Sequence, residues 1–140
     1  MGTQQILLIV LSVIIVGVAV AVGIQMFNTQ AMNSNRQAIV GDLQTLGAQV
    51  MQYYRTPSSQ GGAGSSITNG TEADLYGFMG WGSNPDTTDT GVFTLDITAT
   101  NVVSIVGVGT ETGNNGTSGV SATLTVTCTG SSPLSTTINN

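Results

Sequence analysis

Residues 6–24 read ILLIVLSVIIVGVAVAVGI: nineteen positions with no charge and one hydroxyl, Ser12. At 1.5 Å per residue this makes about 28 Å of helix, close to the ~30 Å hydrocarbon thickness of a bilayer. A β-branched run of this kind is a poor helix in water. It is a good one in lipid, where every backbone group must bond within its own segment. A secretory signal peptide is the first competitor. Against it, the run exceeds the usual apolar region of about 7–15 residues, no basic segment precedes it, and no small-residue cleavage site with a composition break follows.

The helical pattern instead carries straight on. No Pro occurs from Met26 to Tyr54, and Ile39, Leu43, Leu46, Val50 and Tyr53 or Tyr54 fall at 4-3-4-3 spacing. That spacing makes one apolar stripe, with Gln37, Gly41, Gln44, Ala48, Gln52 and Arg55 on the other side. Helix is expected to stop just after Arg55, because Pro57 disfavours helix in the residue before it and 58–66 is rich in Gly and Ser. One helix of roughly 50 residues, about 75 Å long, is implied. Its first part (1–27) is apolar all round and its second (28–56) amphipathic. The rest of the chain, about 25–30 Å across as a compact unit, is too small to bury a rod of that length. The first half must be covered by a bilayer or by copies of itself.

The segment 57–90 carries loop signals: Gly61-Gly62, Asn69-Gly70, Gly80-Trp81-Gly82 and Asn84-Pro85. Across 91–140 alternation takes over. Phe93, Leu95, Ile97 and Ala99 alternate with Thr94, Asp96, Thr98 and Thr100; Val103 and Ile105 continue in a second run; Val120, Ala122, Leu124, Val126 and Cys128 alternate with Ser and Thr in a third. Strict period-2 patterning predicts strands with one face buried and one solvated. A tight turn at Thr100-Asn101 and a loop at 113–116 would join them. The expected fold class is α+β: a three- or four-stranded antiparallel meander whose apolar face packs on the stripe from Ile39 to Tyr54.

Composition excludes several functions. Two cations, Arg36 and Arg55, stand against seven carboxylates, and there is no Lys or His. A polyanion partner needs several phosphate-neutralising cations, so no nucleic-acid partner is expected. Without His, most general-base, zinc and haem chemistry goes as well. No catalytic constellation, metal set or cofactor motif stands out, and a non-enzymatic role is expected. Cys128, on an inward strand face, reads as a buried thiol. Asp86, Asp89, Glu72 and Asp74 read as a solvated acidic loop without the spacing of a calcium loop. Tyr76, Phe78 and Trp81 form a Gly-spaced aromatic group that either caps the core or anchors a neighbouring subunit. Asn69-Gly70-Thr71 and Asn115-Gly116-Thr117 match the N-glycosylation sequon, making Asn69 and Asn115 candidate glycan sites.

A long N-terminal helix with an apolar front, an amphipathic back docked on a small antiparallel sheet, and a Gly/Ser/Thr-rich surface resembles the type IV pilin family, pseudopilins included. At motif level the resemblance covers residue 1 to about Phe27; Gly17 and Gly23 stand where the family has a helix-softening glycine. It implies removal of a leader by a prepilin peptidase, with Met1 or Thr3 as the N-methylated mature start. It implies residence in the inner membrane before assembly, dependence on pilus assembly machinery, and polymerisation with itself into a filament at the cell surface. Gln5 (or Leu7 with the second start) occupies the place of the family's Glu, Val22 that of its kinking Pro, and the lone Cys128 cannot close the disulfide loop of many members.

By that resemblance Ile6, Leu7, Leu8, Leu11, Ile14, Ile15, Gly17, Val18, Val22 and Gly23 would form the filament core. Met1, Thr3, Gln4 and Gln5 would form a neutral polar cluster receiving a neighbour's ammonium. The reading is a major structural subunit of a pilus-like filament. Its alternatives are a single-pass membrane minor pilin or pseudopilin, and a secreted surface-binding β-module.

Overall fold

The computed structural model describes residues 2–139; Met1 lies outside the described residues. One α-helix, α1 (Gly2–Arg55), runs 54 residues and ends where Pro57 requires. The chain continues through a short 3-10 turn (Ser58–Gln60), α2 (Glu72–Phe78), β1 (Asp86–Thr87), β2 (Gly91–Ala99), β3 (Val102–Thr112), β4 (Gly119–Thr127) and β5 (Leu134–Ile138). The sheet is an antiparallel meander in the order β1-β2-β3-β4-β5, and the back half of α1 lies over β3 and β4. The fold is therefore α+β, a long helix on an antiparallel sheet.

Burial follows the two sequence periods. On α1 the buried positions are Ile39, Leu43, Gly47, Val50 and Tyr53. Leu46 and Tyr54 are half-buried and pack at the edge of the same core. Of the two tyrosines at the helix end, Tyr53 takes the inward position. On the strands the inward residues are Phe93, Leu95 and Ile97 (β2), Val103 and Ile105 (β3), and Val120, Ala122, Leu124 and Val126 (β4). Thr94, Thr98, Ser121, Thr123, Thr125 and Thr127 face away, where a hydroxyl on a short side chain supports the strand without charge.

Four features differ from the sequence expectation. The sheet has five strands, not three or four: β1 and β5 extend it at both edges. A seven-residue helix interrupts the loop segment and sets Phe78 against Tyr53, ring centroids 5.3 Å apart. Ala99 points out rather than in, because the register shifts between Ile97 and Ala99. Ala99 then pairs with Val102 across the Thr100-Asn101 turn, with Asn101 at φ 60°, a left-handed backbone that Asn tolerates. Finally, Gly47 is buried on the stripe. A Cβ there would stand 2.5 Å from Leu134 Cδ2 and 2.6 Å from Leu124 Cδ2, so the glycine lets α1 settle close to β4 and β5.

Polar side chains hold the layers in register. Asn35 Nδ2 donates to Thr90 O (3.0 Å) and its Oδ1 accepts from Glu111 N (3.3 Å), tying α1 to the start of β2 and the end of β3. Asn101 Oδ1 accepts from Ile67 N (2.8 Å), its own N donates to Ile67 O (2.8 Å), and its O accepts from Cys128 N (2.9 Å). Asn84 takes the place of a strand partner for Leu95, donating to its carbonyl (2.7 Å) and accepting from its N–H (3.0 Å).

Candidate functional site

The front of α1 has no packing partner among the described residues. Every described residue from Gly2 to Gln30 is exposed except Gly23, which is partly covered. Ile6, Leu7, Leu8, Leu11, Ile14, Ile15, Val18 and Val22 stand 49–68% exposed, and Phe27 79%. The helix is long and apolar enough to cross a membrane, and none of its most apolar window is buried. Membrane anchoring is compatible with that helix. Two of the three hydroxyls from Gly2 to Gln30 are satisfied within the helix: Ser12 Oγ donates to Leu8 O (2.8 Å) and Thr29 Oγ1 to Gln25 O (2.9 Å), while Thr3 is exposed at the N-terminal end. Neither leaves a dangling donor to penalise transfer to an apolar medium.

The small residues of this segment pair by helical phase. Gly17 with Ala21, and Ala19 with Gly23, are each separated by one turn and share a face. At 100° per residue the two faces lie about 160° apart, nearly opposite each other. A Cβ at Gly17 or Gly23 would meet nothing within 4 Å. Packing inside the chain therefore gives no reason for either glycine, although each costs a helix about 0.5–1 kcal/mol relative to Ala.

At the N-terminal end Thr3 and Gln4 line one shallow hollow with Leu7 and Leu8. Gln5 is not part of that hollow's lining. The three polar residues are all exposed in the single chain, where water meets their donors and acceptors. Of the polar cluster expected from sequence, Thr3, Gln4 and Gln5 are consecutive exposed positions on α1, and Met1 lies outside the described residues.

The back half presents different flanks on its two sides. Taking Ile39 as facing the sheet, Asp42 lies about 60° to one side and Arg36 about 60° to the other. On the Asp42 side, an open cavity of about 330 Å³ is lined by Asp42, Trp81, Asp86, Asp89, Thr90 and Phe93, among others. Thr90 Oγ1 donates to Asp42 Oδ2 (2.6 Å), and Thr88 and Thr90 share a hydrogen bond (2.8 Å), so the α1–β2 corner is fixed. On the opposite side Arg36 Nη1 makes a long bond to Asn33 Oδ1 (3.4 Å), while its Nε is buried without a partner among the described residues. Nothing in the residue pattern joins these side chains. Trp81 reads there as one of an aromatic group, and Asp86 and Asp89 as a solvated loop; only the docking of β1 and β2 beside α1 brings the three to Asp42.

The remaining candidates are placed plainly. Asn69 and Asn115 are exposed, in turns. Asn115 Oδ1 accepts from Thr117 N (3.1 Å) and Ser118 N (3.0 Å). Cys128, just past β4, is buried, and burial pushes its thiol pKa up, away from the thiolate a nucleophile needs. Burial, then the nearby Asp74 carboxylate, raises the Tyr53 phenol. Among the described residues no group of three or more His, Cys, Asp or Glu side chains gathers as metal ligands would. No family model, curated protein or solved structure matches this chain.

Proposed function

We propose that this chain is the structural subunit of a type IV pilus-like surface filament, polymerising through the front of α1. One observation carries the reading. A rigid, uncharged 28-Å segment projects from a well-packed head with no internal partner, and its small residues form two nearly opposite faces. A helix held by lipid alone needs no small face, and a helix dimer needs one. An open polymer of equivalent subunits needs two different faces, because each copy meets one neighbour on each side and the contact does not close.

The energetics agree. Outside lipid, ten exposed aliphatic side chains left in water would forgo about 1.5–3 kcal/mol each. Association with neighbouring helices recovers this and outweighs an ordering cost of about 4–15 kcal/mol. Before assembly, the same segment would sit in the membrane. Gln5, in the place of the family's Glu, can accept a hydrogen bond from a neighbour's N-terminal ammonium but brings no countercharge. Replacing Gln5 with Leu is expected to reduce assembly, and unchanged assembly would refute that role.

The test is to shear expressing cells, image the supernatant and weigh the subunit intact. Micrometre filaments containing the full span support the reading; the same mass reports any methyl group or glycan. Chain retained wholly in the membrane fraction as a monomer would replace it with the single-pass minor pilin or pseudopilin. A secreted form lacking residues 1–27 would replace it with a free β-module.

A further inference from the structure

Resting on the filament reading, we infer that neighbouring heads are joined by Arg36 of one copy entering the Trp81-lined cavity of the next. The two surfaces are on opposite flanks of the same helix–sheet layer, which is the arrangement a head-to-tail contact requires. They are also complementary in charge. The cavity offers three carboxylates, Asp42, Asp86 and Asp89, beside the indole of Trp81, with Phe93 also in its lining. Guanidinium is the cation suited to such a site, since its planar fork pairs with carboxylates while its face stacks on an aromatic ring.

Among the described residues the Arg36 fork makes one side-chain bond, a long one from Nη1 to Asn33 Oδ1 (3.4 Å), so most of its N–H donors are left to water or to a neighbour. Arg55, the remaining cation, is exposed and by helical phase points away from the sheet, where water satisfies it.

Axial spacing is compatible with the core contact. Arg36 precedes the helical residues of the cavity, Asp42, Thr45 and Leu46, by 6 to 10 positions. Docking would stagger adjacent parallel helices by about 9–15 Å. Roughly 13–19 Å of the apolar 28 Å would still overlap between the same two copies. The copy that supplies Arg36 sits further from the membrane.

The chain has no lysine, which makes the contact directly testable. Arg36→Lys installs a single side-chain amine in the full-length protein. Carbodiimide treatment of sheared filaments should give a ladder of covalent oligomers absent from wild type. The peptide map should show the introduced amine at position 36 joined to Asp42, Asp86 or Asp89. In parallel, Arg36→Glu should lower filament yield at least tenfold, and adding Asp89→Arg in the same chain should restore part of it. Filaments of Arg36→Lys that couple elsewhere or not at all, or Arg36→Glu filaments at wild-type yield, would overturn this contact and leave the filament reading standing. No filaments from the wild-type chain would overturn both.

Discussion

Gly17 and Gly23 are held in the chain under conditions opposite to those of Gly47 and Gly107. A Cβ on either of the first two would point into open space. At Gly47 it would stand 2.5 Å from Leu134 Cδ2, and at Gly107 2.7 Å from Ile39 Cγ2 and 2.8 Å from Phe93 Cε1. The back half of α1 explains its own composition: its buried residues each answer to a neighbour in the sheet. The front half does not. Its composition is intelligible only against surfaces the single chain lacks. One continuous helix thus poses two packing problems: one is solved within the chain, and the other is the one the proposed filament would solve with sister copies.

The sharpest way to break this division is a charge in the front half. Ile14→Asp, in mid-span, should abolish filaments, because a carboxylate at the centre of an apolar bundle or bilayer costs several kcal/mol. Thermal unfolding of the head, followed in detergent, should not move. A parallel loss of head stability would show that the halves are not independent.

Leu43→Ala probes the other side. Leu43 is fully buried between α1 and the sheet. Its truncation should cost about 2–5 kcal/mol in denaturant unfolding of the detergent-solubilised chain.

A pair of glycine substitutions sharpens the comparison further, because the two should act with opposite sign. Gly107→Ala should destabilise the head by about 1–3 kcal/mol through overpacking against Ile39 and Phe93. Gly17→Ala should leave the head alone, stabilise the helix by about 0.5–1 kcal/mol, and still weaken filaments against shear. Equal filament strength would mean that Gly17 is merely tolerated.

The smallest effect concerns pH. Burial raises the Cys128 thiol pKa in the fold, so the folded chain keeps its proton where the unfolded chain, titrating near about 8.5, begins to lose it. Stability from this group is complete below that value and erodes as pH climbs through the raised one. Tyr53, shifted in the same direction, adds to the decline at higher pH. Denaturant midpoints should therefore be flat from about pH 6 to 8 and fall above, with a shallower fall in Cys128→Ala.

Much of the fold is legible in the residue pattern. The end of α1, the inward faces of β2, β3 and β4 and the turn at Asn101 rest on strong periodicity, on Pro57 and on turn chemistry. What escapes does so for physical reasons. Leu134–Ile138 reads LSTTI, with no alternation, because every residue of this edge strand is exposed. Glu72–Phe78 is too short for helical period to show, and its Gly77 reads as loop. Gly47 is invisible to a count of apolar residues, since its contribution is the absence of a side chain. Ala99 continues the inward alternation in sequence, but a one-residue register shift turns it to the other face. The flank surfaces are the least legible, since Arg36, Asp42, Trp81 and Asp89 are related only by how the β1–β2 corner docks beside the helix.

The most direct examination of the front half is electron cryo-microscopy of filaments sheared from cells, at a resolution that separates helices. The account predicts a core of parallel α1 helices in which residues 6–24 are enclosed on all sides by sister copies. A map in which those residues are absent or wrapped in lipid, or preparations holding only dispersed monomers, would contradict it.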